Sequence, residues 1–255
     1  MKRFENKVCL VTGASSGIGK ATALAFAKEG GKVIATDINE ELGSQTVEEI
    51  KALGTEAVFV KCNIAERDDV IASVNAAVEH FGRLDYAVNV AGVAGNTSKP
   101  THEYPEDQWH HQIAVNLTGT WYCLKYQAAQ MLKNGGGNIV CVSSAAGLYG
   151  QPENSPYAAS KHGVVGLVKT AAIEYATQNI RVNAICPTAI ETPMLMHGRR
   201  NLAENHEARE KAINHQRMKR MGQPEEIADI ALYFCSDQSS FLTGQAIAAD
   251  GGAFA

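Results

Sequence analysis

The run KVCLVTGASSGIGK, residues 7–20, decides how the rest of the chain is read. Its first part, 7–11, is a short, largely apolar and β-branched stretch of the kind that forms a buried strand. It passes without a linker into Thr12-Gly13-Ala14-Ser15-Ser16-Gly17-Ile18-Gly19, and a helical pattern follows. Glycines at such a point permit a tight turn and let a diphosphate approach backbone N–H groups, where the helix dipole also favours negative charge. Ser15 and Ser16 add hydroxyl donors. The spacing is GxxxGxG rather than the common GxGxxG fingerprint, and alone it is a weak sign, because many loops are rich in glycine.

Outward from this turn, short β-branched runs at 32–37, 57–61, 86–89, 138–142, 181–185 and 245–248 alternate with amphipathic stretches at 20–29, 40–53, 67–80, 110–132, 158–178 and 225–235. Strand and helix in repeated alternation predict an α/β fold: a Rossmann-type, doubly wound, mostly seven-stranded parallel sheet with helices on both faces. Ligands of such sheets bind outside the carboxyl ends of the strands, near the point where strand order reverses. No repeat or long linker divides the chain, so residues 1–255 are expected to form one dinucleotide-binding and catalytic domain. The longest stretch between core elements, 188–222, carries a helical pattern around 202–218. It reads either as a mobile cover over a site or as an ordinary surface helical hairpin.

With 45% apolar and 20% charged residues the composition is that of a globular protein. A net charge of -4 gives no reason to expect nucleic acid as a partner. The first residues lack the apolar stretch of a secretory signal, and no segment reaches the roughly 18 apolar residues of a membrane span. A soluble, cytoplasmic protein without a membrane partner is expected. Six scattered cysteines form no CxxC pair and read as buried thiols. His110 and His111 are adjacent, so on a helix they diverge by about 100° and chelate poorly; no metal site is expected.

Asp37 closes the second strand 18 residues after Gly19, where a carboxylate accepts hydrogen bonds from adenosine ribose hydroxyls and repels a 2′-phosphate. That predicts NAD rather than NADP, although Asp37 alone could equally be a turn or helix N-cap residue. Tyr157 and Lys161 are four apart and share one face of a helix. A phenol ordinarily ionises near pH 10, and a neighbouring ammonium favours the phenolate, which makes such a pair a proton donor and acceptor. Ser144, at a strand end 13 residues before Tyr157, is placed to hydrogen-bond a substrate oxygen. Singly, each of these has an ordinary structural reading: a helix-start aromatic, a solvated lysine, a turn serine beside Ser143.

Taken in order, the TGASSGIG turn at 12–19, Asn89-Val90-Ala91-Gly92, Asn116, Ser144, Tyr157-Ala158-Ala159-Ser160-Lys161 and the Pro187 segment resemble the classical short-chain dehydrogenase/reductase (SDR) family over essentially the whole chain. The resemblance implies hydride transfer between NAD and a secondary alcohol or ketone, with Asn116, Ser144, Tyr157 and Lys161 catalytic. It implies that Lys161 also holds the nicotinamide ribose and that Asn116 supports a water relaying protons to Lys161. Cofactor contacts are implied for Gly13, Ser15, Ser16, Gly17, Ile18, Gly19, Asp37, Ile38, Asn63, Ile64, Asn89, Ala91, Gly92, Tyr157, Lys161, Pro187, Ile190 and Thr192, and a homotetramer through the helices around 110–132 and 158–178.

Three positions depart from the usual family pattern. Val90 replaces an asparagine, which reads as a packing change. Asn63 replaces an aspartate and, as an amide that both donates and accepts, keeps a contact to adenine. Thr188 replaces a glycine and puts a branched side chain near the expected nicotinamide. Two alternatives to the alcohol dehydrogenase are a 3-oxoacyl-carrier-protein reductase, which typically uses NADPH and is disfavoured by Asp37, and a catalytically silent NAD-binding sensor, which would need a broken tetrad. The substrate pocket is expected from 93–104, 145–155 and 188–222. Residues 197–220 hold seven basic and three acidic side chains, a local +4 in a chain of -4. That suits an anionic substrate, or else exposed Arg–Glu pairs and a covered subunit seam.

Overall fold

A computed structural model describes residues 2–255. In chain order its elements are β1 (Val8–Thr12), α1 (Gly17–Lys28), β2 (Lys32–Asp37), α2 (Glu40–Ala52), β3 (Ala57–Lys61), α3 (Arg67–Phe81), β4 (Tyr86–Asn89) and α4 (Glu106–Gln112). A π-helical stretch, Ile113–Gly119, leads into α5 (Thr120–Lys133), β5 (Gly137–Val142), α6 (Ser155–Tyr175), β6 (Ile180–Pro187), α7 (Pro193–Met196), α8 (His206–His215), α9 (Pro224–Cys235) and β7 (Ala246–Ala249). The seven strands form one sheet in the order β3-β2-β1-β4-β5-β6-β7, parallel throughout. This is the doubly wound sheet expected from the alternation of strand and helix patterns.

Parallel strands covered on both faces are apolar at every position, and all five residues of β1 are buried. Alternation assigns them to two cores. Cys9, Val11, Val33, Ala35, Val88, Val140 and Ile185 pack under α1, α2 and α9 through Phe26, Ile50 and Leu232. Val8, Leu10, Ile34, Ala87, Ile139 and Val182 pack under α3, α5 and α6 through Val74, Leu124 and Val168. Strand order reverses between β1 and β4, whose last residues Thr12 and Asn89 lie side by side. A Cβ on Gly13 would stand 3.0 Å from the Ala91 backbone, so the loops after these strands touch at the reversal. That places both loops at the crevice where such sheets bind ligands.

Three element boundaries differ from the sequence expectation for identifiable reasons. Helix α6 starts three residues early because Pro156 at its first turn fixes a helical φ and needs no N–H partner. The long helix expected at 110–132 is interrupted by the π-helical stretch, which swings Asn116 out of register to meet the loop after β4. The helical pattern around 202–218 is realised only over His206–His215: Asn205 caps it by accepting from Ala208 N at 3.0 Å, and Gln216 leaves it in an extended conformation.

All six cysteines are buried and unpaired. Burial pushes the Cys62, Cys141 and Cys235 thiols up to about 12. Among the described residues no helix is long and apolar enough to cross a membrane, and no three His, Cys, Asp or Glu side chains gather to hold a metal ion.

Candidate active site

A cleft of about 1480 Å³ runs along the carboxyl ends of the strands. One end is built by the glycine turn and the ends of β2 and β3. Gly13 and Gly17 have φ of +69° and +50°, a conformation that side chains disfavour. Ser16 precedes α1 in an extended conformation, and its hydroxyl makes no capping bond. The Asp37 carboxylate accepts from Ser15 N at 3.1 Å and Asn39 N at 2.9 Å, so it ties the glycine turn to the start of α2. Asn39, not Asp37, caps α2. Beside it Ile38 is 66% exposed on the cleft wall. Asn63 accepts from Ala65 N through Oδ1 at 3.1 Å, which keeps its NH₂ available, and Ile64 is buried under it.

At the other end, the first turns of α6 lie against the end of β5. Lys161 is buried, its Nζ donates to the Val142 carbonyl at 3.1 Å and lies 5.6 Å from the Tyr157 ring centre. Ser143 Oγ donates to the Lys161 carbonyl at 2.9 Å. A Cβ on Gly147 would meet both partners, Ser143 Oγ at 2.5 Å and the Lys161 carbonyl oxygen at 2.6 Å, so only glycine allows the turn after β5 to close on α6. Ser144 Oγ accepts from Ala146 N at 3.1 Å, which orients the hydroxyl and leaves its O–H free to donate. Ser144, Tyr157 and Lys161 therefore face one cleft with Gly92, Pro187, Ile190 and Thr192.

Three residues expected in the site do not line the cleft. Gly19 is required for packing: a Cβ there would lie 2.0 Å from the Gly13 carbonyl oxygen. Asn89 turns into the sheet and exchanges two 2.8 Å hydrogen bonds with the buried amide of Gln127. Asn116 spends its amide on the backbone of Val93, accepting at 2.8 Å and donating at 2.9 Å, and a Cβ on Gly92 would stand 3.0 Å from its Oδ1 and 3.6 Å from Lys161 Nζ. Its side chain thus fixes the loop after β4 beside Lys161. Thr188, the departure of greatest concern for the site's shape, donates to Gln216 Oε1 at 3.2 Å while Gln216 Nε2 donates to the Ala189 carbonyl at 3.3 Å. The branched side chain is thereby engaged with the end of α8.

Of the contacts around the cleft, those of Phe254 and Gln112 were not foreseen, whereas Thr12, Tyr104, Tyr149, Asn154 and His215 fall in stretches already singled out. Thr12 Oγ1 accepts from Val90 N at 3.0 Å and Ala91 N at 3.1 Å, so the β1 end shapes the neighbouring loop. Phe254 stacks on Tyr149 with ring centres 4.0 Å apart, and His215 meets Phe254 at 5.2 Å with the rings nearly perpendicular; all three line the cleft. No local pattern around residue 254 signals this, because its partners lie over a hundred and about forty residues away. Gln112 donates to the Tyr104 hydroxyl at 2.9 Å, which donates to Asn154 at 3.0 Å, and Asn154 donates to the Ala94 carbonyl at 3.0 Å. This chain ties the loop after β4 to the first turn of α6.

Residues 13–253 match a family model described as Enoyl-(Acyl carrier protein) reductase. The chain is 43% identical to a cyclohexanol dehydrogenase of Acinetobacter sp. (strain SE19), covering 98% of this chain and 95% of that protein. It is 44% identical to the 3-oxoacyl-[acyl-carrier-protein] reductase FabG of Thermotoga maritima, covering 98% of each. Its fold superposes on the crystal structure of NAD+-bound xylitol dehydrogenase with a TM-score of 0.93 at 33% identity, covering 98% of this chain and all of the other.

The Asn89–Gln127 pair separates a structural from a cofactor-binding role. Replacing Asn89 by Ala strands both polar atoms of a buried amide, so denaturant unfolding should show a loss of about 2 kcal/mol. A fluorescence titration should find NADH affinity changed by no more than about threefold, since the removed side chain points away from the cleft. A tenfold loss of affinity with unchanged stability would return Asn89 to the cofactor.

Proposed function

The chain belongs to the classical short-chain dehydrogenase/reductase family, and from that premise we propose that it transfers a hydride between NAD(H) and a secondary alcohol or its ketone, with Tyr157 as the acid/base group. The observation that carries this reading is a buried ammonium, Lys161, set beside the Tyr157 ring on the cleft that also holds Ser144. The residues at the far end fit NAD: two glycines at positive φ leave room for a diphosphate, and the Asp37 carboxylate stands at the end of β2 where ribose hydroxyls would replace or share its present N–H donors. A 2′-phosphate there would face that carboxylate. When bound, the nicotinamide supplies the hydride acceptor or donor.

The protein's own groups handle the proton. In oxidation the Tyr157 oxygen takes the alcohol proton while Ser144, with its hydroxyl hydrogen unused by the protein, donates to the same substrate oxygen as charge develops on it. Lys161 stabilises the phenolate form and holds the nicotinamide ribose. Asn116 acts as a positioning residue. Its main-chain carbonyl, which already accepts from Thr120 Oγ1 at 2.8 Å, keeps one lone pair for a relaying water. The similarity to an acyl-carrier-protein reductase supports a second reading, which the Asp37 carboxylate opposes.

Residues 1–255 form one binding and catalytic unit, and the 188–222 segment covers the substrate end, where Leu195, Arg199 and Lys211 line the cleft. The six reduced, buried thiols suit the cytoplasm. A homotetramer is supported by apolar side chains exposed along α5 and α6, where Trp121 and Leu132 are uncovered and Ile173 is 82% exposed.

Three measurements test these statements. Tyr157→Phe should bind NADH with nearly unchanged affinity while kcat on cyclohexanol, the first neutral probe, falls at least about 100-fold; a variant keeping a tenth of the activity would remove Tyr157 from the mechanism. Asp37→Ser combined with Ile38→Arg should move the kcat/KM ratio from NAD toward NADP, as a carboxylate leaves and a phosphate partner arrives. Wild-type preference for NADP would refute the role of Asp37. Sedimentation equilibrium should give four times the 27.3 kDa of one chain, and a monomer mass would exclude the assembly.

A further inference from the structure

Six of the seven basic side chains of 197–220 divide into two groups by environment. Arg209 pairs with Glu191 at 3.2 Å and Arg220 with Glu226 at 2.6 Å, while Lys219 donates to the Asn214 carbonyl. These are ordinary surface arrangements, worth little in water. Arg199, Arg200 and Lys211 are different. All three line the cleft, and among the described residues none lies within ion-pair distance of a carboxylate.

Arg199 is the most constrained. It is half-buried, and its Nη1 donates to the Thr97 carbonyl at 2.5 Å, so it bridges from the segment after β6 to the loop after β4. Burial pushes its guanidinium down from the usual range and the adjacent charge of Arg200 does the same; Tyr104, Glu153 and Tyr157 lie near enough to act in the opposite sense. A partly desolvated cation beside a second cation is costly unless an anion joins them. Glu153 also lines this end, but it is exposed, makes no ion pair with Arg199, and is one negative charge against three positive ones. A guanidinium has five N–H donors in a planar fork, and only one is committed here, to Thr97.

Resting on the oxidoreductase reading above, we propose that the substrate is a compact hydroxy acid or oxo acid whose carboxylate is held by Arg199, with Arg200 and Lys211 adding to the attraction. Val93, Ala94, Met194 and Leu195 line the same cleft as Arg199 and Tyr157, which suits an apolar body for the substrate. Arg199 is fastened to the loop after β4 at Thr97, and Asn154, three residues before Tyr157, is fastened to the same loop at Ala94, so the guanidinium and the start of α6 flank one short loop. That favours a carboxylate on the substrate itself over the phosphate of a long carrier arm. In the reaction the carbinol carbon gives its hydride to NAD and the hydroxyl gives its proton to Tyr157, while the carboxylate is unchanged on both sides.

The probes are 3-hydroxycyclohexanecarboxylate, its methyl ester and cyclohexanol, with acetoacetyl-coenzyme A to represent a phosphate-bearing carrier. With the wild-type protein at low salt, kcat/KM for the acid should exceed that for the ester by at least about tenfold, the scale of one charge-assisted hydrogen bond. The gap should narrow as salt rises from about 0.02 to about 0.5 M. Arg199→Gln should lower the acid-to-ester ratio at least about tenfold, and Arg199→Lys should retain part of it. Using the ratio cancels any common effect of losing the Thr97 contact. If Arg199→Gln does not fold, as judged by circular dichroism, the double variant Arg200→Ala, Lys211→Ala should still flatten the salt dependence for the acid alone. Turnover of ester and cyclohexanol with no preference for the acid overturns the carboxylate proposal and leaves the oxidoreductase standing, as does a dominant, Arg199-sensitive activity on the thioester. Turnover of no probe while NADH still binds overturns the oxidoreductase reading and this proposal together.

Discussion

Lys161 reaches from the second turn of α6 to the Val142 carbonyl at 3.1 Å, while its own carbonyl accepts from Ser143 at 2.9 Å. Helix and strand end thus hold each other through adjacent residues, and the ammonium is buried with one firm partner in place. A buried cation without further partners is unstable, and its surroundings supply what stabilises charge: the Tyr157 ring at 5.6 Å and the Asn116 amide across Gly92. The geometry of Ser144 and Tyr157 follows from this contact. One side chain ends β5 and the other begins α6, so whatever fixes β5 to α6 fixes the pair.

Around that contact the loops are fastened by side-chain amides and hydroxyls rather than by apolar packing. Asn116 clamps Val93, Thr12 accepts from Val90 and Ala91, and the Gln112–Tyr104–Asn154 chain ties Ala94 to the start of α6. Hydrogen-bonded loops of this kind hold position at the end of a rigid sheet while leaving the cleft open to solvent and ligand. Gln112 Oε1 is the one buried side-chain polar atom among the described residues without a partner, and it lies next to Gly95 in the same loop. The π-helical stretch belongs to this arrangement, since a regular helix over 113–119 would carry Asn116 to a different face.

Charge is distributed along the cleft in two zones. Asp37 and Glu66 line the end built by β2 and β3, and Arg199, Arg200 and Lys211 line the opposite end. The acidic zone suits hydroxyl groups and the basic zone suits an anion, so an elongated pair of ligands has one preferred orientation in the crevice. The aromatic cluster of Tyr149, Phe254 and His215 lines the same cleft.

The sheet and the outline of the site were legible in the amino-acid sequence because both depend on near neighbours. Hydrophobic runs of five or six residues read as strands, the glycine turn follows β1 directly, and Tyr157 and Lys161 share a helix face by their spacing alone. Residue type at a strand end also sufficed to single out Asp37 and Ser144. Which way a side chain turns was decided only by the folded chain, because it depends on partners distant in sequence. Asn89 found Gln127, Asn116 found Val93, and Thr188 found Gln216, each diverting a polar group that its motif alone would have pointed toward a ligand. The same holds for the basic segment, where spacing could not tell Arg209, neutralised by Glu191, from Arg199, which crosses the cleft to Thr97. Periodicity records the competition between water and core, whereas hydrogen-bond partners and charge pairs are set by the three-dimensional meeting of loops, for which the linear pattern carries no signal.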